Sequence, residues 1–65
     1  MSDFKTRLLE EQDQLDEKRE KLSMFMNGDN FKDIPEIQQS LLKAQYSVMT
    51  SYSLILGERI SKLAN

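Results

Sequence analysis

Leu41, Val48 and Ile55 recur every seven residues, and one position along, Leu42, Met49, Leu56 and Leu63 do the same. An α-helix brings residues seven apart onto nearly one line, so the second half of the chain reads as a helix with two adjacent apolar rows. Ile34, Ile37, Ala44, Tyr52 and Ile60 widen the band, and Lys43 is the only charged residue between Ile37 and Gly57. A helix facing one neighbour needs an apolar stripe of roughly 100°. This band is wider, so the chain must supply more than one covering surface or borrow one.

The first half supplies little. Leu8, Leu15 and Leu22 form a narrow seam with Phe4 and Phe25, in a segment of Glu, Gln, Lys, Arg and Leu that favours helix over residues 3–26. Ser2 or Asp3 is the expected cap. Glu11 and Lys18 fall where the spacing from Phe4 and Phe25 calls for apolar groups. They are either a snorkelling, solvated pair or a polar layer at an interface or ligand site. Asn27-Gly28-Asp29-Asn30 stops the helix, with Gly28 expected in the left-handed conformation. The turn over 27–32 suits an antiparallel hairpin. Phe31 is expected to fold back onto the hairpin's end, with a pocket lining as the other reading. Asp33-Ile34-Pro35-Glu36 reads as an N-cap, a first-turn proline and a capping-box glutamate, opening a helix over 34–63. Gly57 within it costs about 1 kcal/mol relative to Ala, offset by a close helix approach or expressed as a bend.

The expected fold is therefore all-α: one domain over 1–65, an antiparallel two-helix hairpin that assembles into a homo-oligomeric bundle. With 65 residues and neither Cys nor His, disulfides, thiolate metal sites and imidazole catalysis lack their residues, and partner chains are the remaining source of burial. A single hairpin would leave an apolar patch in water, which marks an association surface. The expected interface residues are Leu41, Leu42, Val48, Met49, Ile55, Leu56 and Leu63.

Net charge of −2, from 11 acidic and 9 basic side chains, argues against duplex nucleic acid as a partner. Met1-Ser2-Asp3 opens a polar segment, not a signal sequence, and Ala44–Gly57 is too short and polar to span a bilayer. The expectation is a soluble cytoplasmic protein with no membrane partner.

Gln45, Tyr52 and Arg59 repeat every seven residues between the two apolar rows. One reading is structural: Gln45 fixes register, Tyr52 packs with its hydroxyl wet, and Arg59 pairs with a carboxylate of the first helix. The other is a ligand site shared between chains. Arg59 offers forked donors to phosphate or carboxylate, Tyr52 or Tyr46 can stack on a base, and Gln45 can read a base edge. Lys18, Arg19 and Lys21 form a short basic cluster, either a solvated face with pairs such as Glu17–Lys21 or an aid to phosphate binding, with Lys18 and Lys21 the candidates. Met24, Phe25 and Met26 read as packing residues. Asp13, Asp16, Glu17 and Glu20 make no metal or glycosidase pattern. No catalytic constellation is recognisable, so neither enzyme activity nor a cofactor is expected.

Leu15-Asp16-Glu17-Lys18, Lys21-Leu22-Ser23-Met24-Phe25 and the set Leu41-Leu42, Gln45, Met49, Tyr52 and Leu56-Gly57-Glu58-Arg59-Ile60 resemble a family of small bacteriophage proteins related to a protein of crAss-like phage. The shared pattern is a Lys-Leu-x-x-Phe end to the first helix and regularly spaced Leu, Gln, Met, Tyr, Leu and Arg on the second. The resemblance covers most of the chain, and its motifs are mostly packing residues. It implies a phage protein acting in the host bacterial cytoplasm against a defence system. By architectural analogy, such a protein is an oligomer that sequesters a cyclic nucleotide immune signal without cleaving it. The alternative is a helical inhibitor or adaptor that docks the apolar face of the second helix on a host or phage protein.

Overall fold

The computed structural model describes residues 2–63, with Ser2 described by its backbone alone. Helix α1 spans Ser2–Met26, a 3-10 turn spans Asp29–Asp33, and helix α2 spans Glu36–Leu63. The two helices lie against each other as a hairpin 47 × 14 × 13 Å. Asp3 sits inside the first turn of α1, where its charge suits the helix dipole, so it does not cap the helix. A cap from the Ser2 side chain lies outside the described residues.

The hairpin's core is thin. Leu8 and Leu56 are the buried centre, 3% and 0% exposed. Leu15 and Leu22 from α1 and Leu42, Met49 and Ile60 from α2 are half-buried along the seam. At the turn, Phe31 is buried, edge-on to Phe25 with ring centroids 6.0 Å apart and planes at 88°. The Lys43 ammonium lies 6.0 Å from the Phe31 ring centroid. Phe31 thus folds back onto the hairpin's end, as expected.

Two local expectations are corrected. Gly28 is extended, with φ −89° and ψ 172°, and is not left-handed. The helix closes without that conformation because the Gly28 N–H bonds the Phe25 carbonyl at 3.1 Å, while the Asn27 N–H and side-chain amide both donate to the Ser23 carbonyl, at 3.1 and 3.0 Å. The Gly28 bond serves the Phe25 carbonyl, one of the helix-end groups that a left-handed cap would otherwise satisfy. Second, α2 starts at Glu36, and Asp33 ends the 3-10 turn. The Pro35 carbonyl accepts the Gln39 N–H at 3.0 Å, which puts Pro35 at the cap and Glu36 in the first helical position, too early for a capping box. The Gln39 side chain fastens this entrance instead, donating to the Ile34 carbonyl at 2.9 Å. Helix α2 runs unbroken through Gly57.

Elongation has a measurable consequence. The radius of gyration is 14.8 Å, against about 11 Å for a compact domain of this length. The accessible surface is 5219 Å² for 7.6 kDa, about 900 Å² more than the roughly 4300 Å² of a compact monomer. No helix among the described residues is long and apolar enough to cross a membrane.

Candidate functional site

One edge of the helix–helix seam is polar. Gln12, Asp16, Arg19 and Ser23 on α1 are spaced four, three and four residues apart, and so are Tyr46, Thr50, Ser53 and Gly57 on α2. In an antiparallel pair such matched gaps meet rung by rung. The Ser53 hydroxyl donates to Asp16 Oδ1 at 2.6 Å. Arg19 Nη1 donates to Thr50 Oγ1 at 3.3 Å, and Nη2 lies 3.5 Å from Asp16 Oδ1. The Gln12 amide donates to the Ser53 carbonyl at 3.1 Å, beside Gly57. Thr50 passes its own hydroxyl back to the Tyr46 carbonyl at 3.0 Å. Ser53 is buried, and no buried side-chain polar atom among the described residues lacks a partner. A one-turn slip of the hairpin would break every rung, so this ladder fixes register.

At the last rung the seam opens into a cleft of about 290 Å³ lined by Asp16, Arg19, Glu20, Ser23 and Tyr46. The Arg19 guanidinium sits 6.0 Å from the Tyr46 ring centroid. The lining sets two carboxylates, Asp16 and Glu20, against the one guanidinium of Arg19, and the walls are open to water. The cleft has the character of a satisfied seam more than of an anion site.

The opposite side of α2 is apolar and bare. Leu41, Val48 and Ile55 are exposed, Val48 by 68%. Of the two rows in the sequence, then, Leu42, Met49 and Leu56 face α1, while Leu41, Val48 and Ile55 face away from it, with Leu63 exposed at the helix end. Gln45, Tyr52 and Arg59 are exposed too, and lie on the rim between the rows. Tyr46 stands one residue, and so about 100° of helix rotation, from Gln45, which takes it to the polar edge. Lys18 and Lys21 are exposed, and Lys21 faces Glu17 at 3.9 Å. The contacts of Asp16 with Ser53 and of Arg19 with Thr50 set Lys18 level with the turn of α2 that carries Tyr52. The six candidate ligand residues thus do not converge within one chain. Gln45, Tyr52 and Arg59 share a line with Lys18 near it, while Tyr46 and Lys21 belong to other sides.

The ion pairs among the described residues are Asp16–Arg19, Glu17–Lys21 and Glu58–Lys62, all within a single helix. The expected pairing of Arg59 with a carboxylate of α1 is not among them. No group of three or more His, Cys, Asp or Glu side chains among the described residues is placed to hold a metal ion. The polar ladder escaped sequence reading. Its signal was the repeated four-three-four spacing, visible only when the two helices are aligned in opposite directions.

Fold and surface together define a small all-α hairpin whose main feature is an unpartnered apolar helix face flanked by polar groups. The family model described as Sequestin matches residues 2–62, and the chain belongs to the Sequestin family. No curated protein and no solved structure matches the chain.

Proposed function

We propose that this protein is a non-catalytic phage sequestering protein. Several copies assemble and hold a cyclic nucleotide immune signal in the host cytoplasm, lowering its free concentration without cleaving it. The observation that carries this reading is the line of Gln45, Tyr52 and Arg59 along the rim of the bare apolar face. Where copies meet, that line becomes the lip of an interface. Arg59 supplies forked donors for a phosphate, Tyr52 a ring for a base, and Gln45 an amide for a base edge. Lys18 adds positive charge nearby. Tyr46 and Lys21 reach the same ligand only from a further copy. The family's name, Sequestin, favours holding over turnover, and holding needs only affinity and stoichiometry.

Calorimetry with cyclic di- and trinucleotides and cyclic ADP-ribose isomers tests the reading. One of them should bind, be recovered unchanged by chromatography, and lose about tenfold or more in affinity on Tyr52→Ala, given the usual worth of base–aromatic stacking. Binding to none of the panel would overturn it. A stoichiometric protein captured on the α2 face, with no small molecule, would put the inhibitor or adaptor reading in its place.

A further inference from the structure

The outer face of α2 has its own pattern of gaps. Ile37, Leu41, Ala44, Val48, Tyr52, Ile55 and Arg59 are separated by four, three, four, four, three and four residues, the same sequence from either end. At 100° per residue these seven fall within a stripe about 80° wide. The intramolecular seam shows what such spacing does in this protein: matched gaps running in opposite directions meet rung by rung. A stripe that matches its own reverse is complementary to a second copy of itself.

We infer that two copies pair through this face, α2 against α2 in antiparallel, with a two-fold axis at Val48. The inference rests on the oligomeric part of the proposed function. In this register Val48 meets Val48 of the second copy, and Leu41 meets Ile55 of the second copy. The small Ala44 lies opposite the large Tyr52 of the second copy, so the bulk of one side fills the gap of the other. Sliding by one heptad leaves Ile37 or Ile55 of each copy overhanging the partner's end. The register centred on Val48 alone covers the whole stripe.

Charge selects direction. The entrance of α2 carries Asp33 and Glu36 beside Lys32, and its far end carries Arg59 and Lys62 beside Glu58. Antiparallel pairing brings the net-negative entrance of one copy to the net-positive end of the other and opposes the helix dipoles. Parallel pairing stacks Arg59 on Arg59 and Tyr52 on Tyr52. The area also fits. The hairpin exposes about 900 Å² beyond a compact monomer of its mass, and a stable interface buries about 800 Å² per partner. Tyr52 of one copy then borders Gln45 of the other on each side of the axis, so the rim of the proposed ligand site is built from two chains.

The chain has no cysteine, so single cysteines report contacts cleanly. Leu41, Val48 and Ile55 are exposed, and replacing them leaves the hairpin seam intact. Under mild oxidation Val48→Cys should become a disulfide-linked dimer. Leu41→Cys and Ile55→Cys should each remain uncrosslinked alone and link to each other when the two variants are refolded together. Self-crosslinking of all three would establish parallel pairing and overturn the inference. No crosslink in any variant, while light scattering shows the unmodified protein to be an oligomer, would overturn this face and register and leave the oligomer standing. A monomer by light scattering would overturn both.

Discussion

Gly57→Ala sets two effects of similar size against each other. Glycine inside a helix costs about 1 kcal/mol relative to alanine, and Gly57 lies within α2, six residues from its end. Against that gain, an added Cβ would meet the Gln12 Nε2 at 3.3 Å, the same nitrogen that donates to the Ser53 carbonyl at 3.1 Å. The obstacle is the end of a flexible side chain, not backbone, so relief takes a few tenths of an ångström. If the amide keeps its bond, the full gain survives. If the bond is lost, its net worth of about 0.5–1.5 kcal/mol cancels the gain. Gly57→Ala should therefore fall between a loss of about 0.5 and a gain of about 1 kcal/mol in the parent chain, and stabilise by about 1 kcal/mol in a Gln12→Ala background. Urea unfolding followed by circular dichroism on the four proteins of the cycle reads both numbers. Protein concentration must be equal throughout, so that the proposed association contributes equally to all four. Loss of more than about 1 kcal/mol in both backgrounds would refute the reasoning, because a close backbone approach, and not the amide, would then explain the glycine.

Ser53→Ala removes the donor to Asp16. The Asp16 side chain is 42% exposed and can turn to water, so the expected loss is about 1 kcal/mol, below the range for a fully buried charged hydrogen bond, and Asp16→Ala should abolish most of that effect in a double-mutant cycle. Gly28→Ala should be neutral or stabilise by up to about 1 kcal/mol, because its φ of −89° suits any residue and a Cβ comes no closer than 3.4 Å to the Met24 and Phe25 carbonyls; a loss above about 1 kcal/mol would point back to a left-handed cap. Val48→Glu places two carboxylates at the proposed axis and should lower the solution mass to that of a monomer at micromolar concentration, read by light scattering; an unchanged mass counts against the Val48 contact.

Much of the fold was legible because it follows from periodicity. Apolar residues every seven positions define α2 and its excess breadth, and the Leu8, Leu15 and Leu22 series defines the thin seam of α1. The ends were less legible because several chemistries stop a helix equally well. Gly28 permits a left-handed cap, but its N–H reaches the Phe25 carbonyl from an extended backbone. Asp33 is a good capping residue, but Pro35 offers the carbonyl that accepts the Gln39 N–H. The polar edge was hidden for a different reason. Asp16, Arg19, Thr50 and Ser53 are ordinary surface residues of amphipathic helices until the hairpin's register is known. Apolar periodicity names a face, and only pairing across it tells which neighbouring polar residues share it. The candidate ligand residues show the same limit: Gln45, Tyr52 and Arg59 stay in line, whereas Tyr46, adjacent in sequence to Gln45, turns to the opposite edge.

The two edges of α2 divide the work of making one structure. The polar ladder fixes how α1 lies on α2 but buries little apolar area, and among the described residues only Leu8, Phe31 and Leu56 are buried apolar side chains. A core that small leaves the isolated hairpin marginal, so folding and association should be coupled. Coupling has a quantitative mark. For two unfolded chains in equilibrium with a folded dimer, each tenfold rise in protein concentration adds about 1.4 kcal/mol per dimer, or about 0.7 kcal/mol per chain. In a domain of this length 1 kcal/mol moves the melting temperature by roughly 4–8 °C, so it should climb by roughly 3–6 °C per decade of concentration. Differential scanning calorimetry across two decades resolves such a slope easily. A melting temperature that stays constant over that range would mean that the ladder and the three buried apolar side chains hold the hairpin unaided. The bare face of α2 would then serve binding alone, with no part in folding.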